Sequence, residues 1–131
     1  GLPMTGESVV SGCRTGEEVG ARVAARLKSG RPVDGVLARN DRLAGLVLQA
    51  CREKGFSVPD DISLIAFDNS TLSRATHPPL TVMEIDRKGV AAALVEVFLA
   101  ALEGRTAPAP ELRTVLVERG TTRPIRPPRV A

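Results

Sequence analysis

The chain has 131 residues, 43% hydrophobic and 25% charged, a globular composition long enough for one domain with a core. Its 18 Lys and Arg exceed its 15 Asp and Glu by three, and much of that excess is Arg near the C-terminus, which is weak support for a nucleic-acid partner. Aromatics make up 2% of the chain, with no Trp or Tyr, which argues against the base-stacking platforms that bind RNA and single strands.

No apolar run approaches membrane-spanning length and the first residues show no signal-peptide pattern, so no membrane partner is expected. Cys13 and Cys51 have neither metal nor disulfide spacing. A reduced, cytoplasmic protein without metal or cofactor is the expectation.

In chain order, Glu7-Ser8-Val9-Val10 reads as a short edge strand. Thr15 and Glu18 form a capping-box pair, and Val19, Val23 and Leu27 recur every four residues, which predicts a helix over 16–29 closed by Gly30. Arg14, just ahead of that helix, is either a surface cation or one that reaches a ligand at the sheet edge. Cys13 has no activating partner in the pattern and reads as a small semi-buried residue.

Gly35 to Ala38 is a short apolar strand that stops at Asn40. A second helix is predicted over 41–54 and closed by Gly55. Leu43, Leu46, Val47 and Ala50 fall on one stripe, whereas Ala44, Leu48 and Cys51 fall on another beside Gly45 and Arg52. Two apolar faces fit either a thicker core or a subunit interface, in which small residues let helices approach.

Pro59 and its polar neighbours make a turn. Ile62 to Phe67, the most apolar run, reads as a central strand. Residues 69–79 read as a loop carrying His77, which has no partner for metal or base chemistry. Leu80 to Met83 is extended. Asp86 caps a third helix over 87–103 with Val90, Leu94, Val97, Phe98, Ala101 and Leu102 on its apolar stripe. A Pro/Ala linker over 105–110 leads to a half-exposed strand over 112–118, and the final dozen residues read as a frayed Arg/Pro tail.

Residues 35–68 therefore read strand, helix, strand, a βαβ unit with two parallel strands. Ligands of open parallel sheets sit outside the carboxyl ends of the strands, where Asn40 and Asp68 stand. An amide and a carboxylate there suit a ligand with many hydroxyls. Asp41, opening a helical pattern, reads as its cap instead.

These motifs, in this order, resemble the lactose/galactose repressor (LacI/GalR) family. Gly35-Val36-Leu37-Ala38-Arg39-Asn40-Asp41 is similar to its A-x-N-D segment. Val58-Pro59-Asp60-Asp61-Ile62-Ser63-Leu64-Ile65-Ala66-Phe67-Asp68-Asn69 is similar to V-P-x-D-[IV]-S-[VL]-x-[GA]-[FY]-D-[DN]. Pro78-Pro79-Leu80-Thr81-Val82 and Val117-Glu118-Arg119-Gly120-Thr121-Thr122-Arg123-Pro124 resemble the two elements that follow in that family.

The resemblance implies an α/β, periplasmic-binding-protein-like (type I) fold of parallel-sheet βαβ layers, mostly the C-terminal lobe and incomplete on its N-terminal side. Residues 1–119 would be a partial effector-binding domain, with 84–104 belonging to the other lobe, and 120–131 a tail. It implies effector contacts from Asn40, Asp68 and the segment of Arg14, with Ile85 standing where relatives often carry a polar side chain. It also implies a homodimer surface at Ala44, Gly45, Leu48, Arg52 and Leu72. Operator DNA would be bound through a helix-turn-helix domain that this sequence lacks, so a C-terminal fragment of a longer regulator is expected. Leu94, Val97 and Phe98 would then be exposed, which favours self-association.

The preferred expectation is the effector-binding and dimerisation part of a regulator that responds to a small molecule, with sugars first. The alternatives are a periplasmic solute-binding protein of the same fold and an α/β enzyme using Asp68 as base. The enzyme reading has only His77 to offer as a partner, so no catalysis is expected.

Overall fold

The computed structural model describes residues 15–29 and 33–124. The strand expected over 7–10, Cys13 and Arg14 lie outside the described residues. Eight elements follow in order among those described: α1 (Gly16–Leu27), β1 (Gly35–Ala38), α2 (Asp41–Glu53), β2 (Ser63–Phe67), α3 (Thr71–Ala75), β3 (Thr81–Ile85), α4 (Arg87–Leu102) and β4 (Thr114–Val117).

The helix ends follow the local signals. Thr15 Oγ1 accepts from the Glu18 N–H at 3.2 Å while Glu18 accepts from the Thr15 N–H, so the capping box forms. Asp86 accepts from the Gly89 N–H at 2.9 Å and starts α4. Gly55 and Gly104, just past the ends of α2 and α4, have positive φ, which glycine adopts without a steric cost.

The four strands form one sheet in the order β1-β2-β3-β4. The first three are parallel and β4 runs antiparallel to β3. Leu64 and Ala66 of β2 and Ala38 of β1 point to the buried face, as alternation along a strand requires. On the opposite face Leu37 is exposed.

Helix α2 lies on β1 and β2, and α1 lies on α2. The core therefore joins Val19 and Val23 of α1, Ala44, Val47, Ala50 and Cys51 of α2, and Ile62, Leu64, Leu80 and Val82 from the sheet side. Burial pushes the Cys51 thiol above its ordinary pKa, because a thiolate there would lose its hydration.

Two expectations are corrected here. Residues 71–75, read as loop, form the short helix α3, capped by Ser70, whose hydroxyl accepts from the Leu72 N–H at 3.2 Å. The start of the tail is also anchored. Thr121 is fully buried, its hydroxyl donates to Leu64 O at 2.7 Å, and it accepts from the Thr81 N–H at 2.8 Å. Arg123 donates to Pro59 O at 2.9 Å. Gly120 passes so close to the Pro78-Pro79 turn that a side chain there would stand 2.9 Å from Pro78 Cβ.

Helix α4 departs from the sheet. Ala100 is its buried residue, while Leu94, Val97 and Phe98 are exposed as expected, Phe98 by 62%. No described helix or strand packs along it. The chain thus has a packed α1-α2-sheet body and an apolar helix standing off one edge.

Candidate functional site at the carboxyl ends of the parallel strands

Strands β1 and β2 are paired with Ala38 opposite Ala66. Asn40 and Asp68 each follow two residues later, so the two leave the sheet side by side, roughly one strand spacing apart (about 5 Å). The expected juxtaposition is present.

Their neighbours divide the work differently from the sequence reading. Asn40, not Asp41, is the N-cap of α2: its Oδ1 accepts from the Leu43 N–H at 2.9 Å. Because that partner is a donor, the amide orientation is fixed, and Nδ2 makes no hydrogen bond to a described residue. Asp41 is the first residue of α2 and is 2% exposed. Its Oδ2 accepts from the Ser70 N–H at 2.6 Å, tying the start of α2 to the start of α3. Its Oδ1 is buried and has no partner among the described residues.

Asp68 and Asn69 both have positive φ, 107° and 62°. For Asn this is a tolerated left-handed turn; for Asp68 it lies outside the usual left-handed basin and is strained. The turn is held from two directions. Asp41 grips the next amide, and Arg119 donates to Asn69 Oδ1 at 2.6 Å and to Leu80 O at 2.9 Å, with a longer contact to Ser73 Oγ at 3.3 Å. The Arg119 N–H itself donates to Thr81 Oγ1 at 2.9 Å. Arg119 and Asp41 are thus positioning residues for the Asp68 turn, and both were missed as such. Their partners lie 29 to 50 residues away, and no local pattern marks them.

The third strand end brings a residue that the sequence reading did not single out. Arg87 follows β3 by two residues, and its Nη2 donates to Asp68 O at 3.2 Å and lies 3.9 Å from Asp68 Oδ1. The two side chains are 64% and 39% exposed. An ion pair that long and that wet contributes well under about 1 kcal/mol to stability. The pair is too long and too wet to act as a structural bridge. Ile85 ends β3 half-buried beside them.

The expected interface residues separate. Ala44 is 0% exposed, on the side of α2 that packs into the core. The two apolar faces of α2 arise because α1 covers one and the sheet the other. Gly45 and Leu48 remain half-buried, Arg52 is exposed, and Leu72 on α3 is 42% exposed. Arg52 donates to His77 O at 3.1 Å, so the end of α2 and the turn after α3 form one continuous surface.

A sheet of this order with ligand-competent ends defines a class. The profile of the periplasmic binding protein-like domain matches residues 4–122, and the chain belongs to that family. The proteins it resembles within that family are transcriptional regulators, LacI-family ones among them. The chain is 40% identical over 88 residues to the probable opine utilization operon repressor of Rhizobium rhizogenes, an alignment covering 65% of this chain and 44% of that protein. It is 39% identical over 83 residues to the HTH-type transcriptional regulator DegA of Bacillus subtilis, covering 63% of this chain and 24% of the relative.

Among solved structures, a LacI-family regulator from Arthrobacter sp. FB24, crystallised with lactose, superposes with a TM-score of 0.68 at 33% identity, over 83% of this chain and 43% of that one. A LacI-family regulator from Bifidobacterium animalis subsp. lactis shares the fold with a TM-score of 0.76 at 24% identity, over 86% of this chain and 42% of that one. The chain thus spans less than half the length of these relatives. Among the described residues no helix is long and apolar enough to cross a membrane.

Proposed function

We propose that this chain is the effector-binding and dimerisation part of a cytoplasmic transcriptional regulator, with a sugar or sugar-like molecule as effector. The observation that carries the reading is the convergence of Asn40, Asp68 and Arg87 at the ends of three adjacent parallel strands. Hydroxyls of an effector would accept from Asn40 Nδ2 and donate to Asp68. The names of relatives support the class: besides the lactose complex, an arabinose metabolism repressor of Geobacillus stearothermophilus is 35% identical over 89 residues.

The strand ends form an open shelf, and α4 carries its apolar side chains away from the sheet. Both features fit a second lobe that closes over the effector and receives residues 84–104. Operator DNA would be bound by a separate domain, and the effector acts through its unequal affinity for the open and closed arrangements. Two copies would meet through Gly45, Leu48, Arg52 and Leu72.

The test is calorimetric titration of sugars into the full-length protein, beside Asn40→Ala and Asp68→Asn. Each substitution should weaken binding by about tenfold or more, since Asn40→Ala removes a donor and Asp68→Asn removes the charge and turns one acceptor into a donor, in a site that excludes water on closure. Binding unchanged by both would move the effector site elsewhere.

A further inference from the structure

The strand ends are unequally supplied with donors and acceptors. Asn40 Oδ1 is occupied by the Leu43 N–H and Asn69 Oδ1 by Arg119. Asp41 is buried, and Asp86 folds over its own helix to take the Gly89 N–H. Among the described residues at these strand ends, what remains to meet a ligand is the Nδ2 of Asn40, the guanidinium of Arg87 and the carboxylate of Asp68. Arg39, exposed just after β1, makes no hydrogen bond or ion pair to a described residue and adds a second cation at the same edge.

A neutral polyol can use the amide, the carboxylate and single guanidinium N–H groups, but it offers no planar pair of acceptors for the Arg87 fork. Each hydroxyl donates one hydrogen bond and accepts up to two, so a polyol asks for both kinds of partner throughout. A carboxylate or phosphate accepts only, and a planar guanidinium meets it with two parallel N–H groups. Arg87 is free to do so. Its separation of 3.9 Å from Asp68 Oδ1 is too long for a hydrogen bond, and one contact to Asp68 O at 3.2 Å leaves most of its donors unused.

We infer that the effector carries an acidic group, a carboxylate or a phosphate, which Arg87 takes in its guanidinium fork. Asn40 Nδ2 and Asp68 hold the hydroxyls or amine beside it. The inference rests on the reading of the strand ends as the effector site. It also gives the ligand a handle on α4, because Arg87 is the first residue of that helix. An anion there acts at the start of the segment assigned to the second lobe.

The experiment is titration of the full-length protein with neutral hexoses, the uronic and aldonic acids built on the same carbon skeletons, and the corresponding sugar phosphates. An acid or a phosphate should bind at least about tenfold more tightly than its neutral counterpart, and the acid and phosphate arms identify which anion is used. Arg87→Gln should abolish that preference, bringing the acid and its neutral counterpart to similar affinity, whereas Arg87→Lys, which keeps the charge and loses the fork, should retain part of it. The exposure of Arg87 makes all three forms fold alike, checked by circular dichroism.

Neutral sugars binding as tightly as their acids, or a preference that survives Arg87→Gln, overturns the inference while leaving the effector site intact. Acid binding that is indifferent to Asn40→Ala and Asp68→Asn overturns the site itself. A full panel without any binder contradicts both.

Discussion

Arg119→Met keeps most of the side-chain volume and removes the guanidinium that grips the Asp68 turn. Two good hydrogen bonds, to Asn69 Oδ1 at 2.6 Å and Leu80 O at 2.9 Å, and one weaker bond to Ser73 Oγ at 3.3 Å are lost. Bonds from a charged donor contribute about 1.5–3 kcal/mol each, and the site is only part-buried, so water recovers some of this. A net loss of about 2–4 kcal/mol is expected, a large share of the roughly 5–15 kcal/mol that holds a domain together.

In urea unfolding followed by far-UV circular dichroism, the midpoint should fall by about 1–2 M with the slope unchanged, taking a slope near 2 kcal/mol/M. Arg119→Lys should recover less than half of the loss, since one ammonium cannot reach both acceptors. A midpoint shift below about 0.3 M for Arg119→Met would refute the reasoning, because it would mean that water serves Asn69 and Leu80 as well as the guanidinium does.

Thr121→Val, nearly isosteric, should cost about 2–3 kcal/mol, because it strands the Leu64 carbonyl and the Thr81 amide inside the sheet; accelerated amide exchange at Thr81 is the specific readout. Ala44→Leu and Leu48→Glu should behave oppositely. The first overpacks the core and costs about 1–3 kcal/mol without changing solution mass; the second leaves the fold stable and halves the mass measured by light scattering. Cys51 should resist thiol reagents until the protein unfolds. Its raised pKa means that the unfolded thiol ionises first as pH climbs, so this contribution is present below the ordinary thiol pKa and is lost above it; Cys51→Ala should flatten the alkaline end of the stability curve.

Much of the fold is legible in the sequence because its signals are local. The capping box at Thr15 and Glu18, the apolar run from Ile62 and the cap at Asp86 each specify an element from residues within one turn or one strand of each other. Asn40 and Asp68 are legible as strand ends by the same logic, since a strand that stops at a polar residue shows where it stops.

What was not legible depends on distant partners or on which neighbour covers a face. Asn40 and Asp41 are both good caps by type; only the position of Ser70 shows that Asp41 is needed elsewhere. The two apolar stripes of α2 are legible by angle, but the count cannot tell a sheet and a helix from a second chain, and it gave no sign that Ala44 is fully buried within this chain. Helix α3 spans only five residues, next to Pro78-Pro79, and has too few turns to show a period. Arg87 carries no local signal, and only the end of β3 places it beside Asp68.

Hydrogen exchange measured by mass spectrometry on the full-length protein, with and without bound effector, bears on the strand ends with no substitution involved. Binding there predicts protection in peptides spanning 39–41, 68–70 and 85–88, with the α1–α2 packing and β4 little changed. Protection confined to other segments, with those three unaffected at saturating effector, would contradict the assignment of the site.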